Sequence, residues 1–189
     1  MVKDFILASS SPQRIALLKQ IDFEPVAIEP ANIDETPLKN EKPSQYVKRI
    51  VKDKALAVYR NNVGKIVLSA DTVIVVGTKI IQKAKNSEEQ AKIMQMLSGR
   101  THYVLTGVCV IDAKGKIAIR LDSTKIKTKR LSLQEINEYV SSQEWQGCAG
   151  YKIEGLMGGF VEKIIGSYSG VVGLPLCVAR NLLIGAGVK

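Results

Sequence analysis

The run of residues 66–76 restricts the fold more than any other part of the chain. It reads IVLSADTVIVV, and apolar, mostly β-branched side chains dominate it. Such a run predicts a strand buried inside a sheet, yet Asp71 stands at its centre. An unpaired buried carboxylate costs several kcal/mol, so Asp71 either accepts hydrogen bonds from a neighbouring loop or belongs to a functional site. The Asp71-Thr72 pair also predicts a break or a β-bulge in the strand.

The N-terminal third predicts a strand followed by two helices. A strand at residues 5–8 leads into a helix that has Ser11 as its N-cap and ends near Gln20. Ser44 is predicted to cap a second helix, which ends near Tyr59. The strand at 66–76 follows this second helix.

The remainder predicts more strands and helices of mixed order. Ser87 with Gln90, and Ser132 with Glu135, form capping-box patterns that predict two helices. The other expected elements are a hairpin of residues 103–111 and 116–121, a strand over residues 122–130, and a last helix that starts after residue 175. This order is typical of an α/β fold. We expect one domain over residues 1–189, with two lobes and a cleft between them.

Two segments lack a regular hydrophobic period. Residues 29–43 contain three prolines and four acids, which indicates either an ordered loop or a flexible lid. Residues 147–173 hold eight of the fifteen glycines. Such a density predicts tight turns and a close approach of the backbone to a ligand.

Composition excludes several classes of protein. A net charge of +9 suits an anionic ligand, a nucleic acid or a membrane surface without choosing among them. Aromatic residues make up 5%, which argues against a base-stacking surface of the RNA-binding kind. The three cysteines are far apart, so we expect no disulfide and no structural zinc site, and a reducing cytoplasm fits. One histidine, His102, excludes a multi-histidine metal centre.

Neither a signal peptide nor a membrane span is predicted. The apolar core of residues 1–9 has four residues, below the minimum of about seven for a signal peptide. No apolar run reaches the roughly 18 residues of a transmembrane helix. We therefore predict a cytoplasmic protein.

Several charged residues occupy unusual places. Lys54 falls on the apolar stripe of its helix, where a lysine either extends past the edge of the core or points its ammonium into a site. The serine turn at residues 9–11 ends a strand and opens a helix, and Arg14 lies in the first helical turn. Free N–H groups at a helix start, with an arginine beside them, suit a phosphate group.

A site that combines these groups would suit phosphate-ester chemistry. Arg14, Lys54 and Lys83 would hold a polyphosphate, while Asp71 and Glu35 would hold a phosphate-bound Mg²⁺ and activate water. The sequence contains neither the GxxxxGK[ST] loop of P-loop proteins nor the GxSxG turn of serine hydrolases. We expect the single histidine to make a structural or substrate-edge hydrogen bond.

Six short motifs occur in order along the chain. They are ASSSPQR at 8–14, ADTV at 70–73, KA at 83–84, LSGRTH at 97–102 with TGV at 106–108, CAGYKIEG at 148–155, and GSYS at 166–169 with VGLPL at 172–176. Together they resemble the motifs of the Maf family of nucleoside triphosphate pyrophosphatases. The resemblance covers essentially the whole chain.

The resemblance implies a fold, a reaction and a cofactor. The fold is an α/β structure of the Maf/ITPase type, with an elongated, twisted mixed sheet flanked by helices around a deep nucleotide cleft. The reaction is hydrolysis of a nucleoside triphosphate at its α–β bond. Asp71 would be the general base, and Glu35, Lys54 and Lys83 would complete the catalytic set. A divalent cation, Mg²⁺ or Mn²⁺, would be held by Glu35 and Asp71.

The resemblance also implies how the substrate is bound. The substrate-binding residues would be Ser9, Ser11, Gln13, Arg14, Thr72 and Glu154. Positions 13, 72 and 154 are those that the family uses to distinguish bases. Thr72 agrees with the branch that acts on dTTP and UTP, whereas Glu154 is like the branch that acts on 7-methyl-GTP, and Gln13 replaces the usual arginine. Both substrate types therefore stay open.

Two other functions are compatible with the sequence. One is a non-catalytic nucleotide-binding regulator of cell division, against which the retention of Asp71, Lys54 and Lys83 argues. The other is a basic nucleic-acid-binding module, which the net charge supports and the lack of a binding motif opposes. We expect a nucleoside triphosphate as the partner, and neither a nucleic acid nor a membrane. A homodimer is compatible with the sequence, which does not decide the oligomeric state.

Overall fold

The computed structural model describes residues 4–188. The prediction about a signal peptide concerns residues 1–9, of which 1–3 lie outside the described residues. The strands are β1 (Phe5–Leu7), β2 (Ala27–Ile28), β3 (Ile66–Val76), β4 (Lys79–Ile81), β5 (Thr101–Ile111), β6 (Ile117–Thr128) and β7 (Val161–Ile165). The helices are α1 (Pro12–Gln20), α2 (Pro43–Tyr59), α3 (Ser87–Leu97), α4 (Leu133–Ser142), α5 (Tyr168–Val172) and α6 (Leu176–Gly185), with a 3₁₀ helix at Leu156–Phe160.

The seven strands form one mixed sheet. Its order is β2-β1-β3-β5-β6-β7, and β4 pairs with β3. The pairs β1–β2 and β1–β3 are parallel, and the others are antiparallel. Helices cover the sheet, so the predicted α/β fold with a mixed sheet flanked by helices is confirmed.

The hydrophobic core consists of four clusters, which group into two bodies that share the long strands. One body packs β1 and the first half of β3 between α1 and α6 on one face and α2 on the other, with Leu18, Val51 and Leu183 fully buried. The second packs β4 and the far ends of β3 and β5 against α3 and α4, with Met94 and Tyr139 fully buried. These bodies are the two lobes, and the long strands carry the chain from one to the other.

The middle of β3 has an open edge. On that edge β1 pairs with residues 66–68, and β4 pairs with residues 74–76. Within the described residues, no strand covers residues 69–73 there. The opposite edge of β3 pairs with β5 without interruption from Val67 to Val75. The gap between β1 and β4 leaves room for a cleft at the centre of a buried strand.

One prediction about the strands was wrong. The expected break or bulge at Asp71-Thr72 does not occur, because the register with β5 continues through Gly107 and Thr106. Gly107 lets α2 pack close to the sheet at this point, since a Cβ there would lie 2.7 Å from a methyl carbon of Val47. The strand predicted at residues 122–130 is confirmed for 122–128, which form the second half of β6, a strand that is continuous from residue 117. A register shift in β6 occurs instead between Lys127 and Thr128.

Two predicted helix starts were wrong by one or two residues. The N-cap of α2 is Lys42 and not Ser44, because Pro43 takes the first helical position. The N-cap of α3 is Asn86, whose side chain accepts from the N–H of Glu89, so Ser87 lies inside the helix. The starts predicted for α1 and α4 are confirmed, the latter with its capping box. None of the helices in the described part of the chain has the length and apolar character needed to cross a bilayer.

His102 has a structural place in the second lobe. It is fully buried on β5, and its Nε2 lies 2.6 Å from the hydroxyl oxygen of Tyr151. Burial lowers the pKa of His102 to about 4. In the unfolded chain it titrates near 6.5, so unfolding takes up a proton between these two pH values. The stability linked to this group is fully present above pH 6.5 and is lost as the pH falls toward 4.

We expect acid to destabilise the protein partly through His102. Between pH 7 and pH 5 its contribution to the free energy of unfolding should fall by about 2 kcal/mol. Urea denaturation at both pH values, in wild type and in His102→Gln, measures this contribution as the difference between their pH dependences. The same pH dependence in both proteins would show that His102 is not held neutral.

Candidate active site

The open edge of β3 forms the floor of a cleft of about 980 Å³. This volume is at the upper end of the range for small-molecule sites. All ten predicted site residues line it, namely Ser9, Ser11, Gln13, Arg14, Glu35, Lys54, Asp71, Thr72, Lys83 and Glu154. They come from both lobes, so the fold brings together segments that are far apart in the sequence.

Lys54, the lysine on the apolar stripe of α2, binds Asp71. The side chain of Asp71 points to the α2 face of β3 and is 12% exposed. The Nζ of Lys54 lies 2.7 Å from Asp71 Oδ1 and 3.0 Å from Glu35 Oε1. Lys54 therefore points into the site and does not extend past the edge of the core. The buried carboxylate has a charged partner, as its position required.

Glu35 reaches this group from an ordered loop. The hydroxyl of Tyr46, in the first turn of α2, donates to the carbonyl oxygen of Glu35 at 2.9 Å. Arg49 of the same helix binds the carboxylate of Glu41 through two nitrogens, each at 2.7 Å. Burial, with the negative charges of Asp71 and Glu35, raises the pKa of Tyr46 to about 12. Tyr46 therefore stays a hydrogen-bond donor at neutral pH and holds the loop over the cleft.

The serine turn and Arg14 form the wall on the other face of β3. Arg14 Nη1 donates to Ser9 Oγ at 2.9 Å, and its Nε donates to the carbonyl oxygen of Gly173 at 3.0 Å. Ser11 donates through its hydroxyl to the side-chain oxygen of Gln13. Burial lowers the pKa of Arg14, and the charges of Asp71 and Glu35 oppose this. The guanidinium stays charged because an arginine pKa lies so far above neutrality.

Lys83 and Glu154 line the cleft from the second lobe. Lys83 follows β4, and its backbone pairs with Ala149 of the glycine-rich segment. Gly150 allows this approach, because a Cβ there would lie 2.7 Å from Ile74 Cδ1 and its φ is +79°. Both side chains are exposed, and among the described residues neither takes part in a salt bridge. Lys54 and Asp71, in contrast, form a salt bridge with each other.

Sequence reasoning missed Tyr46 and the carbonyl of Gly173. Tyr46 stands four residues before Ile50 and eight before Lys54, on the same helical stripe, so its spacing could have placed it beside Lys54. The carbonyl of Gly173 gives no signal in the sequence, because any residue has one. Its role as a partner of Arg14 depends on a fold that joins positions 159 residues apart.

The carboxylates fit a cation that arrives with phosphates. Asp71 and Glu35 contact the same ammonium, so their oxygens lie close together. Among residues 4–188, no three acidic, histidine or cysteine side chains form a metal cluster. Mg²⁺ is commonly held by one or two carboxylates plus the substrate's phosphate oxygens, so this donor set fits.

Relatives of this chain include bacterial nucleotide pyrophosphatases. A "dTTP/UTP pyrophosphatase" of Rhodopseudomonas palustris (strain HaA2) is 45% identical over 189 residues, which cover 96% of this chain and 91% of that protein. One of Caulobacter vibrioides is 46% identical over 185 residues, which cover 97% of this chain and 96% of that protein. A nucleoside-triphosphatase (dITP/XTP pyrophosphatase) structure from Mycobacterium abscessus has a TM-score of 0.44 at 13% identity, covering 68% of this chain and 75% of that one.

The family assignment rests on the whole chain. The model of the Maf-like protein family matches residues 4–186, which include both lobes and every cleft residue named above. The relatives agree at a level of identity that is decisive over this length. The predicted resemblance is thereby confirmed: the chain belongs to the Maf-like protein family.

Proposed function

We propose that the protein hydrolyses nucleoside triphosphates at the α–β bond, releasing a nucleoside monophosphate and pyrophosphate. The observation that carries this proposal is the buried Asp71, bound to Lys54 at the open edge of β3 in a cleft lined also by Arg14 and Lys83. A buried carboxylate among several cations suits water activation beside a polyphosphate. The names of the relatives, dTTP/UTP pyrophosphatase, support the same reaction.

Asp71 acts as the general base in this proposal. Lys54 holds Oδ1, so the other carboxylate oxygen takes a proton from water, and the water oxygen attacks phosphorus as pyrophosphate leaves. Lys54 also offers positive charge to the phosphate oxygens, where negative charge increases in the transition state. Lys83, which has no salt-bridge partner among the described residues, is free to bind the phosphate chain. Arg14, which lies against the serine turn, also binds the phosphate chain.

A divalent cation, Mg²⁺ or Mn²⁺, would be held by Asp71 and Glu35 together with substrate phosphates. When bound, it would neutralise phosphate charge and polarise the phosphorus–oxygen bonds. The chain's own contribution is to fix the two carboxylates, through Lys54 and through the hydrogen bond from Tyr46 to Glu35.

A screen of pyrophosphate release tests the proposal. The purified protein is given standard and modified nucleoside triphosphates with Mg²⁺ or Mn²⁺, and released pyrophosphate is measured. Turnover of at least one triphosphate is expected. Nucleotide binding without turnover would instead favour a non-catalytic regulator, and binding to nucleic acid alone would favour a basic nucleic-acid-binding module.

Glu154 is expected to influence which base is accepted. An ionised glutamate offers only acceptors, which suit the adjacent N1–H and amino group of guanine, whereas a glutamine offers a donor and an acceptor. Glu154 lines the cleft, so Glu154→Gln should shift kcat/KM toward dTTP and UTP and away from 7-methyl-GTP. Equal ratios among these three substrates in wild type and variant would show that Glu154 does not contact the base.

We also propose a compartment and an assembly. The three cysteines are free thiols, which suits a reducing cytoplasm. A homodimer is compatible with this chain, and sedimentation equilibrium would detect it. The sheet that continues through both lobes supports one domain over the chain.

A further inference from the structure

Two threonine hydroxyls meet across β3 and β5 beside the cleft. Thr72 and Thr106 are register partners in the sheet, and their Oγ1 atoms lie 3.0 Å apart. Thr106 is fully buried, whereas Thr72 is partly exposed and lines the cleft. Thr106 thus lies behind Thr72, whose hydroxyl stands between it and the cleft.

The proton of the Thr106 hydroxyl has a fixed acceptor. Thr106 Oγ1 donates to the carbonyl oxygen of Gly170 at 2.7 Å. Gly170 lies near the end of α5, where carbonyls lose their helical donors. The N–H groups of Gly173 and Leu174, which come next in the chain, both donate to Ser169 instead. Thr106 therefore satisfies a carbonyl that would otherwise be buried without a donor.

A hydroxyl has one proton, so Thr106 can only accept from Thr72. The second acceptor near Thr72 Oγ1 is the carbonyl oxygen of Gly173, at 3.5 Å, the outer limit of a hydrogen bond. Both acceptors belong to the protein. With either one, the proton of Thr72 points inward, and a lone pair of its oxygen is left for a group in the cleft.

The surroundings of Thr72 suit the nucleobase of a nucleotide. Asp71 and Thr72 project to opposite faces of β3, so the charged group around Lys54 and the hydroxyl of Thr72 lie on different sides of the cleft floor. Apolar side chains line the cleft on the Thr72 side, among them Ile74, Val104 and Val172. A flat apolar ring with polar edges fits such a wall.

We propose that Thr106 is a positioning residue that makes Thr72 an acceptor only, so that the site selects bases with a ring N–H. Uracil and thymine present N3–H, and guanine presents N1–H. Cytosine presents a lone pair at N3, which meets the lone pair of Thr72. This selection rests on the proposed function, since it places the base of the triphosphate against Thr72, and it is separate from any contact of Glu154.

The ratio of kcat/KM for UTP to that for CTP tests the proposal. Thr106→Val keeps the β-branched shape and removes the hydroxyl. The Thr72 proton is then left with only the weak acceptor at 3.5 Å, the carbonyl of Gly173, and can turn to cytosine N3. We expect the ratio to fall about tenfold. Thr106→Ser retains the hydroxyl and should keep the wild-type ratio. Thr128→Val is the matched control, because Thr128 is also fully buried and its hydroxyl has no partner among the described residues.

Several outcomes would overturn the proposal. A ratio that Thr106→Val leaves unchanged, with both substrates affected alike, would mean that Thr106 only supports the fold. If Thr106→Val does not fold, Thr72→Val gives a second test, because loss of the acceptor must lower the same ratio. Dissociation constants of UTP and CTP, measured by calorimetry, give the ratio without turnover. Normal binding selectivity without pyrophosphate release would contradict the proposed function and leave the role of Thr106 supported.

Discussion

Asp71→Asn should lower turnover by roughly 10²–10⁴-fold while the fold stays intact. The substitution keeps the shape of the side chain and removes the group that takes the proton from water. Lys54 keeps a carboxylate partner in Glu35, 3.0 Å away, so the ammonium is not left unpaired. Steady-state pyrophosphate release gives kcat, and a thermal unfolding curve checks the fold.

Asp53→Asn is the matched control for this experiment. Asp53 is the residue before Lys54 in α2, its side chain is 43% exposed, and it lies 3.8 Å from Arg49. The same change of charge there should leave turnover close to wild type. Turnover near the wild-type rate in Asp71→Asn itself would mean that another group activates the water.

Lys54→Ala is expected to have the second largest effect. Its ammonium joins two carboxylates and faces the proposed position of the phosphates, with the side chain 11% exposed. Truncation leaves Asp71 buried without its cation and removes a desolvated contact to the substrate. The loss should be about 2–5 kcal/mol in transition-state stabilisation, measured from kcat/KM. Lys83→Ala should change KM more than Lys54→Ala does, since Lys83 is exposed.

Lys48→Ala provides the comparison for Lys54. Lys48 is on the same helix and is exposed, so its loss changes the net charge equally without touching the cleft. Wild-type kinetics and an unchanged melting temperature in Lys54→Ala would mean that this lysine serves neither the site nor the fold.

The sequence predicted the charged centre because its residues conflict with their surroundings. Asp71 interrupts an apolar strand, and Lys54 interrupts an apolar helical stripe. Two such conflicts on neighbouring elements are resolved when the groups bind one another, and the structure pairs them at 2.7 Å. The cost of burying either charge alone thus predicts the pair from the sequence.

Other features depend on tertiary structure and gave no local signal. The expected bulge at Asp71 did not form, because the cleft arises from a gap between β1 and β4 and not from a distortion of β3. The order in which strands pair decides that gap. The N-caps of α2 and α3 are Lys42 and Asn86, close to but different from the predicted serines, because several residues near each helix start are able to cap it. The bond from Thr106 to Gly170 joins segments that only the fold brings together.

Identification of the products with UTP and with dTTP tests the central claim most directly. After a single turnover in the presence of Mg²⁺, the nucleotide and phosphate products are separated by anion-exchange chromatography and quantified. We predict one nucleoside monophosphate and one pyrophosphate for each triphosphate consumed, and loss of both in Asp71→Asn. Release of a nucleoside diphosphate with orthophosphate would place the cut at the β–γ bond and contradict the account.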